Sequence, residues 1–242
     1  MPAKLSVIIP VFNEARTIGE ILRRVWESPV EKEVIVVDDD SSDGTREWLK
    51  EHGQLYGDTR VLFHDRNRGK GAAILSGLSV ATGETVIIQD ADLEYDPAEY
   101  ERIVSPILQG EADVVYGSRI LGHNPSSHLR YYLGGRAVTS FANLLYRGGL
   151  TDLPTCYKAF RRSVLTALPL CEERFGFCAE VTARLLLEGI RIVEVPISYH
   201  PRKIDEGKKI RWIDGVRQLW LLLKLRFSSR SRLKDRGAGG HC

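Results

Sequence analysis

The stretch ETVIIQDADLEYDP, residues 84–97, changes character at Gln89. Val86, Ile87 and Ile88 form an apolar β-branched run, after which Asp90, Asp92, Glu94 and Asp96 fall at alternate positions. A short apolar run without polar alternation reads as a strand covered on both faces, as in parallel sheets. In an extended chain, residues two apart point the same way, so these carboxylates would crowd together and repel. Such a cluster calls for a cation. It also sits where a buried strand ends, the edge at which open α/β sheets bind their ligands.

Working outward, the same pattern recurs. Residues 5–10 (LSVIIP), 33–38 (EVIVVD), 60–64 (RVLFH), 85–89 (TVIIQ) and 113–116 (DVVY) read as strands. Helical patterns occupy 15–26, 45–52, 71–81 and 97–108, the last with Asp96 as cap and Pro97 at the first helical position. This alternation predicts right-handed crossovers and an α/β fold: a Rossmann-like, mostly parallel sheet flanked by helices. Phe12-Asn13-Glu14, residues 38–45 and residues 89–96 then become three polar loops at one sheet edge.

The second half is less regular. Residues 128–147 and 178–187 read as helices, 152–162 (DLPTCYKAFRR) as a loop leading into a short edge strand, and 191–199 as a strand in which Pro196 marks an edge or bulge. Residues 210–227 place Trp212, Ile213, Val216, Leu219, Trp220, Leu222 and Leu223 on a broad apolar helical face. Tryptophan, leucine and flanking Lys/Arg suit a helix lying in a membrane interface. The same periodicity would serve packing on the domain's own sheet or on a partner subunit. Residues 228–242 read as a polar, disordered tail.

The 242 residues are 43% hydrophobic, enough for a sizeable core. A net charge of +2 argues against nucleic-acid binding. From Pro201 onward there are 12 Lys/Arg against 4 Asp/Glu, so the basic charge is concentrated at one end, as for a surface facing phosphates or anionic lipid. No apolar run reaches the ~20 residues of a membrane span, and no secretory signal opens the sequence. The cysteines Cys156, Cys171, Cys178 and Cys242 lack C-x-x-C spacing and read as incidental thiols in a reducing cytosol.

Asp90-Ala91-Asp92 offers the hard oxygen ligands that Mg²⁺ or Mn²⁺ takes, with coordination left over for phosphate oxygens. Glu94 could add a direct or water-mediated ligand. In 38–45 (DDDSSDGT), carboxylates can accept from ribose hydroxyls or a base N–H, while Asp43 and Thr45 cap the next helix. A phosphoreceiver domain would need an acidic pair after the first strand, where this chain has Pro10-Val11-Phe12-Asn13-Glu14. Neither G-x-x-x-x-G-K-[ST] nor an early G-x-G-x-x-G is present, which argues against P-loop hydrolysis and dinucleotide redox chemistry. Asn67-Arg68-Gly69-Lys70-Gly71 opens a helix, with Lys70 either solvated or near nucleotide phosphates.

PVFNE (10–14), DDDSSDGT (38–45), NRGKG (67–71), DADLEYDP (90–97) and GSR (117–119), in this order, resemble the inverting glycosyltransferases of family two, which have the GT-A fold. DLPTCYKAF (152–160) and HPRKIDEGKKI (200–210) resemble the dolichyl- or polyprenyl-phosphate hexose synthases, the dolichol-phosphate mannosyltransferase type. The resemblance spans 4–212. It implies a GT-A domain over 1–210, an amphipathic interfacial helix over 211–228 and a basic tail over 229–242.

It further implies that Pro10, Asn13, Glu14, Val37, Asp39, Lys70, Asp90, Ala91 and Asp92 border a nucleotide-sugar donor. Asp90, Asp92 and Glu94 would hold Mg²⁺ or Mn²⁺, with Glu94 standing where many relatives have Gln. Arg119, Arg136 and Arg202 would meet the acceptor phosphate or donor diphosphate, and Asp92, Arg119 and Arg202 would carry catalysis. A polyprenyl-phosphate acceptor is already anionic, because a phosphate monoester has its second pKa near 6, and it needs no general base. A sugar or other hydroxyl acceptor, the alternative, would need one, for which Glu180 and Asp152 are the candidates. A module that merely holds the nucleotide sugar for a partner is disfavoured by the intact acidic clusters. The expected location is cytoplasmic, peripheral on the cytoplasmic membrane face, with a separate membrane subunit left open as a partner.

Overall fold

Every residue of strand β1 (Leu5–Val11) and of β2 (Lys32–Asp38) is buried, and the two pair in parallel with Val7 opposite Val34 and Pro10 opposite Val37. The computed structural model describes residues 5–122, 124, 129–202 and 212–236. Burial on both faces follows from the uninterrupted apolar runs: alternate side chains serve opposite helical layers. Val7, Ile9 and Val11 meet Ile18, Ile21 and Leu22 of helix α1 (Ile18–Glu27). Ile8, Ile35 and Val37 meet Ala73 and Ile74 of α3 (Lys70–Val80). Gly77 permits that close packing, since a Cβ there would lie 2.6 Å from Ile8 Cγ2.

With β3 (Thr59–Phe63), β4 (Thr85–Ile88), β5 (Val114–Ser118), β6 (Lys158–Arg161) and β7 (Val193–Pro196), the sheet is seven-stranded in the order β3-β2-β1-β4-β6-β5-β7. All pairings are parallel except those of β6, which runs antiparallel between β4 and β5. The expected mostly parallel sheet flanked by helices is therefore present. The expectation of an edge strand in 152–162 is corrected: β6 is interior, and its Ala159 and Phe160 are fully buried. The edge is β7, where Pro196 pairs with Ser118, a position its missing N–H tolerates.

Helix α2 (Thr45–His52) follows β2, and α4 (Tyr100–Leu108) packs on the α1 side through Ile103, Val104 and Ile107. Helix α5 (Leu129–Tyr146) precedes β6, and the short α6 (Arg162–Ala167) follows it. A third cluster joins Val138 and Ala142 of α5, Ala179 and Ala183 of α7 (Phe177–Leu187), and Leu221, Leu222 and Leu225 of α8 (Trp212–Arg236). The apolar face read from the sequence is thus divided. Leu222 turns inward, while Val216, Trp220, Leu223 and Phe227 are exposed, with Phe227 near the exposed Leu144 of α5. Helix α8 runs on to Arg236, past the 228/229 boundary expected between helix and tail; 237–242 and 203–211 lie outside the described residues.

Candidate functional site

Because β1 lies between β2 and β4, the loops leaving these strands meet at one carboxyl edge, where the sheet order changes direction. Short polar side chains fasten the first two loops. Asn13, at φ 52°, donates its N–H to Ser41 Oγ at 2.8 Å and accepts Ser42 N–H on Oδ1 at 2.8 Å. Glu14 N–H reaches Thr45 Oγ1 at 2.9 Å, and Ala15 N–H reaches Asp43 Oδ2 at 3.0 Å. Asp38, fully buried, accepts from Arg46 Nε at 2.7 Å and is a structural anchor.

Asp39 is also buried, and its carboxylate organises the NRGKG segment. It accepts from His64 Nδ1 at 2.7 Å, Arg68 N–H at 2.8 Å and Gly69 N–H at 2.7 Å. Gly69 has φ +102°, and a Cβ on Gly71 would lie 2.0 Å from the Glu172 carbonyl oxygen. Both glycines are therefore required for the chain at 172–174 to lie against this loop. Lys70, the first residue of α3, is hydrogen-bonded through Nζ to Asp90 Oδ1 and lies 3.0 Å from Cys156 Sγ. Burial would lower its ammonium, but Asp90 outweighs that and holds it well above the usual lysine range. The solvated alternative for Lys70 is thereby removed.

Asp92 is pushed up to about 7 by burial and by its neighbours Asp90 and Glu94. Its Oδ1 accepts Glu94 N–H at 3.1 Å, while Oδ2 of Asp90 and Oδ2 of Asp92 accept no hydrogen bond among the described residues. Two crowded carboxylates with an unpaired oxygen each fit a hard divalent cation, which takes oxygen ligands and fills its remaining positions with phosphate or water. Glu94 does not complete a trio. Its Oε2 accepts Tyr199 Oη–H at 2.9 Å and its Oε1 accepts Arg202 N–H at 3.0 Å, while its carbonyl accepts His200 N–H at 2.9 Å. Among the described residues no three His, Cys, Asp or Glu side chains come together as a metal cluster. Glu94, expected as a third metal ligand, has both carboxylate oxygens engaged here and fastens residues 199–202 to the loop after β4.

Arg202 completes this fastening. Its Nη1 and Nη2 grip Glu14 Oε1 and Oε2 at 3.2 and 2.7 Å, and its Nε donates to the Asp92 carbonyl at 2.8 Å. It thus ties the loops after β1 and β4 together. Arg119 lies over the Tyr199 ring, 5.1 Å from its centroid, and binds Asp152 through Nε and Nη2, each at 2.8 Å, with its own N–H adding a third bond at 2.9 Å. Nη1 of Arg119 makes no hydrogen bond among the described residues and stays available. Arg136 is exposed on α5 and is not brought to this pairing.

The two candidate bases are both engaged. Asp152 is held by Arg119. Glu180, buried on α7, accepts Cys171 and Glu172 N–H on Oε2 at 2.9 and 2.7 Å, with Arg184 Nη2 3.4 Å from Oε1. Of the other sequence-predicted residues, Pro10 is buried near the end of β1, and Val37 and Ala91 have buried side chains in the core clusters. Val37 and Ala91 can therefore border a ligand only through their main chains. Sequence reasoning missed Thr17, whose hydroxyl donates to Glu14 Oε2 at 3.0 Å, and Tyr199, which supports Arg119 and Glu94. The one available signal was that Tyr199 directly precedes the HPR segment at 200–202.

A mostly parallel sheet wound by helical crossovers, with an acidic pair at its switch point, is the architecture of the GT-A type. The family description "Glycosyl transferase family 2" matches residues 6–168, and the chain belongs to that family. It is similar to the undecaprenyl-phosphate mannosyltransferase of Micrococcus luteus, with 31% identity over 223 residues, 88% of this chain and 90% of that protein.

Among solved structures, the glucosyl-3-phosphoglycerate synthase of Mycobacterium tuberculosis shares the fold. Its complex with Mn²⁺, uridine diphosphate and glucosyl-3-phosphoglycerate superposes with a TM-score of 0.68 at 23% identity, covering 93% of this chain and 80% of that one. Its complex with Mg²⁺ and uridine diphosphate gives 0.69 at 22% identity, covering 93% and 79%.

Proposed function

We propose that this glycosyltransferase moves a hexose, mannose or glucose, from a nucleotide sugar to a polyprenyl phosphate, with inversion at the anomeric carbon and with Mg²⁺ or Mn²⁺ at Asp90 and Asp92. The observation that carries the acceptor is the engagement of both candidate bases. Asp152 is gripped in two-point fashion by Arg119, and both main-chain N–H groups that Glu180 accepts fall on one of its oxygens, so neither carboxylate is turned toward an incoming hydroxyl. An acceptor that arrives as an anion needs neither. The undecaprenyl-phosphate mannosyltransferase relative supports the same acceptor class, and the metal-bound structural neighbours support the ion.

When bound, the ion offsets the donor pyrophosphate charge and stabilises the departing nucleoside diphosphate. The residues of this chain do the rest. The Pro10–Asn13–Glu14 loop and the main chain at Val37 and Ala91 border the nucleotide, and Asp39 sets the NRGKG loop against it. Lys70 holds Asp90 in place and puts positive charge beside the diphosphate. Arg119 offers Nη1 to the acceptor phosphate, and Arg136, exposed on α5, is a further cation for that phosphate. Arg202 holds the loops after β1 and β4 in register, so that acceptor and donor meet in line.

The lipid would be presented from a membrane. Trp220 (61% exposed), Phe227 (58%) and Leu144 (78%) form an apolar patch on α5 and α8, with Lys224 and Arg226 at its rim. No described helix is long and apolar enough to cross a membrane. A peripheral position on the cytoplasmic face is the arrangement this surface suits.

The test is incorporation of label from GDP-mannose or UDP-glucose into butanol-extractable, acid-labile lipid with one polyprenyl phosphate and Mn²⁺. Product is expected with one of these donors and none with Asp92→Asn. Transfer to a sugar alcohol but never to the lipid phosphate would overturn the acceptor.

A further inference from the structure

The fold brings together two cysteines that the sequence holds 22 positions apart. Cys156 lies two residues before β6, and Cys178 is the second residue of α7. Cys178 Sγ donates to the carbonyl of Thr155, the residue before Cys156, at 3.7 Å, which brings Cys178 against the backbone that carries Cys156. Both side chains are partly exposed. Cys156 Sγ is the second partner of Lys70 Nζ, at 3.0 Å, and Lys70 is the residue that holds Asp90.

The setting matches that of a reactive thiol: a helix N-terminus, with ammonium groups and a second thiol near by. The Cys156 thiol, with Lys158 and Lys70 behind it, brings Cys178 down to about 6 against the opposing effect of burial. Nothing in the transfer reaction uses either sulfur.

We infer that Cys156 and Cys178 form a dithiol modification site that closes to a reversible disulfide and thereby controls the Lys70–Asp90 pair. The oxidant is a small-molecule disulfide. The Cys178 thiolate attacks one of its sulfurs, forming a mixed disulfide and releasing one thiolate. Cys156 then gives up its proton and attacks the Cys178 sulfur, releasing the second thiolate. The two cysteines lose two electrons and two protons, and the oxidant becomes two thiols. Once bonded to α7, the Cys156 sulfur no longer shares the Lys70 ammonium, which turns wholly to Asp90 and competes there with the metal.

The experiment uses the full chain with Cys171→Ser and Cys242→Ser, so that only this pair can react, and oxidised glutathione as the probe. Loss of both free thiols and a disulfide-linked peptide pair containing Cys156 and Cys178 are expected by mass spectrometry, both reversed by dithiothreitol. A glutathione adduct that persists on Cys178, or no reaction at all, would overturn the site. Mn²⁺ binding, measured by titration calorimetry, is expected to weaken in the oxidised form, and additional Cys178→Ser is expected to keep its Mn²⁺ affinity through the same treatment. A linked protein with unchanged Mn²⁺ affinity would overturn the control of Asp90. The effect on hexose transfer rests on the proposed reaction, whereas the linkage and metal readouts do not, so the two readings fail separately.

Discussion

Asp92 and Glu94 stand two residues apart and do opposite things. The buried Asp92 carboxyl, raised to about 7, binds a proton in the folded protein over a pH range where the unfolded chain has released it. Between roughly pH 4, the ordinary aspartate value, and pH 7, the folded state holds more protons, so metal-free stability falls as pH rises. A divalent ion removes that burden by neutralising the carboxylate. The rise in melting temperature on adding Mn²⁺ should therefore grow from pH 5 to pH 8; a rise independent of pH would refute the assignment. Glu94→Ala should leave Mn²⁺ affinity nearly intact while lowering stability by about 2 kcal/mol, the scale for losing hydrogen bonds to a charged group. Calorimetry separates the two, since a true ligand would lose metal binding first.

That difference also marks what could be read in advance. Asp90 and Asp92 were legible because they end an apolar run, a purely local signal. The role of Glu94 depends on Tyr199 and Arg202, that of Glu14 on Arg202, and that of Asp152 on Arg119. Local pattern cannot supply partners so distant in the chain, and a carboxylate held by one looks in sequence like a carboxylate awaiting a ligand.

Among the elements, the junction of the NRGKG loop with α3 is the least tolerant of change. A Cβ at Gly71 would meet main-chain oxygen 2.0 Å away, an atom that cannot swing aside as a side chain could. Gly71→Ala should displace either α3 or the 172–174 segment, costing about 1–3 kcal/mol and moving Lys70 off Asp90. Reduced melting temperature together with weaker Mn²⁺ binding is the expected pair of results. The strand periods in the first half announced their elements because each is covered on both faces. Strand β6 was misplaced at an edge because four residues carry no record of which neighbours they lie between. The inward and outward sides of α8 were merged for a related reason: Leu222 and Trp220 share one apolar stripe, and only α5 and α7 decide which is covered.

Over the whole molecule, acidic and basic charge are separated, and the exposed apolar surface of α8 lies at the basic end. Residues 1–200 hold 22 Lys/Arg and 28 Asp/Glu, whereas the remainder holds 12 and 4. In the resting protein each principal site cation already has a carboxylate: Lys70 with Asp90, Arg119 with Asp152, Arg202 with Glu14. Substrate phosphates must therefore compete with built-in anions, and this keeps the cations ordered before substrate arrives. At the membrane the relation is direct, and liposome binding should weaken as salt shortens the Debye length from about 30 Å at 0.01 M to about 8 Å at 0.15 M. Trp220→Glu with Phe227→Glu should abolish co-sedimentation with anionic vesicles at low salt. Both positions are exposed, so the melting temperature should hold; retained co-sedimentation would assign the apolar patch elsewhere.

The interior antiparallel strand β6 has a bearing on synthesis. Its neighbours β4 and β5 leave the ribosome well before it, and each then carries an unsatisfied row of main-chain donors and acceptors toward the vacant lane between them. Until Lys158–Arg161 emerges and inserts, the nascent chain presents two open strand edges, the kind of surface that pairs with other chains. The growing polypeptide is thus exposed to aggregation between the synthesis of β5 and that of β6, and a ribosome-bound chaperone would matter most during the interval before this wedge enters the sheet.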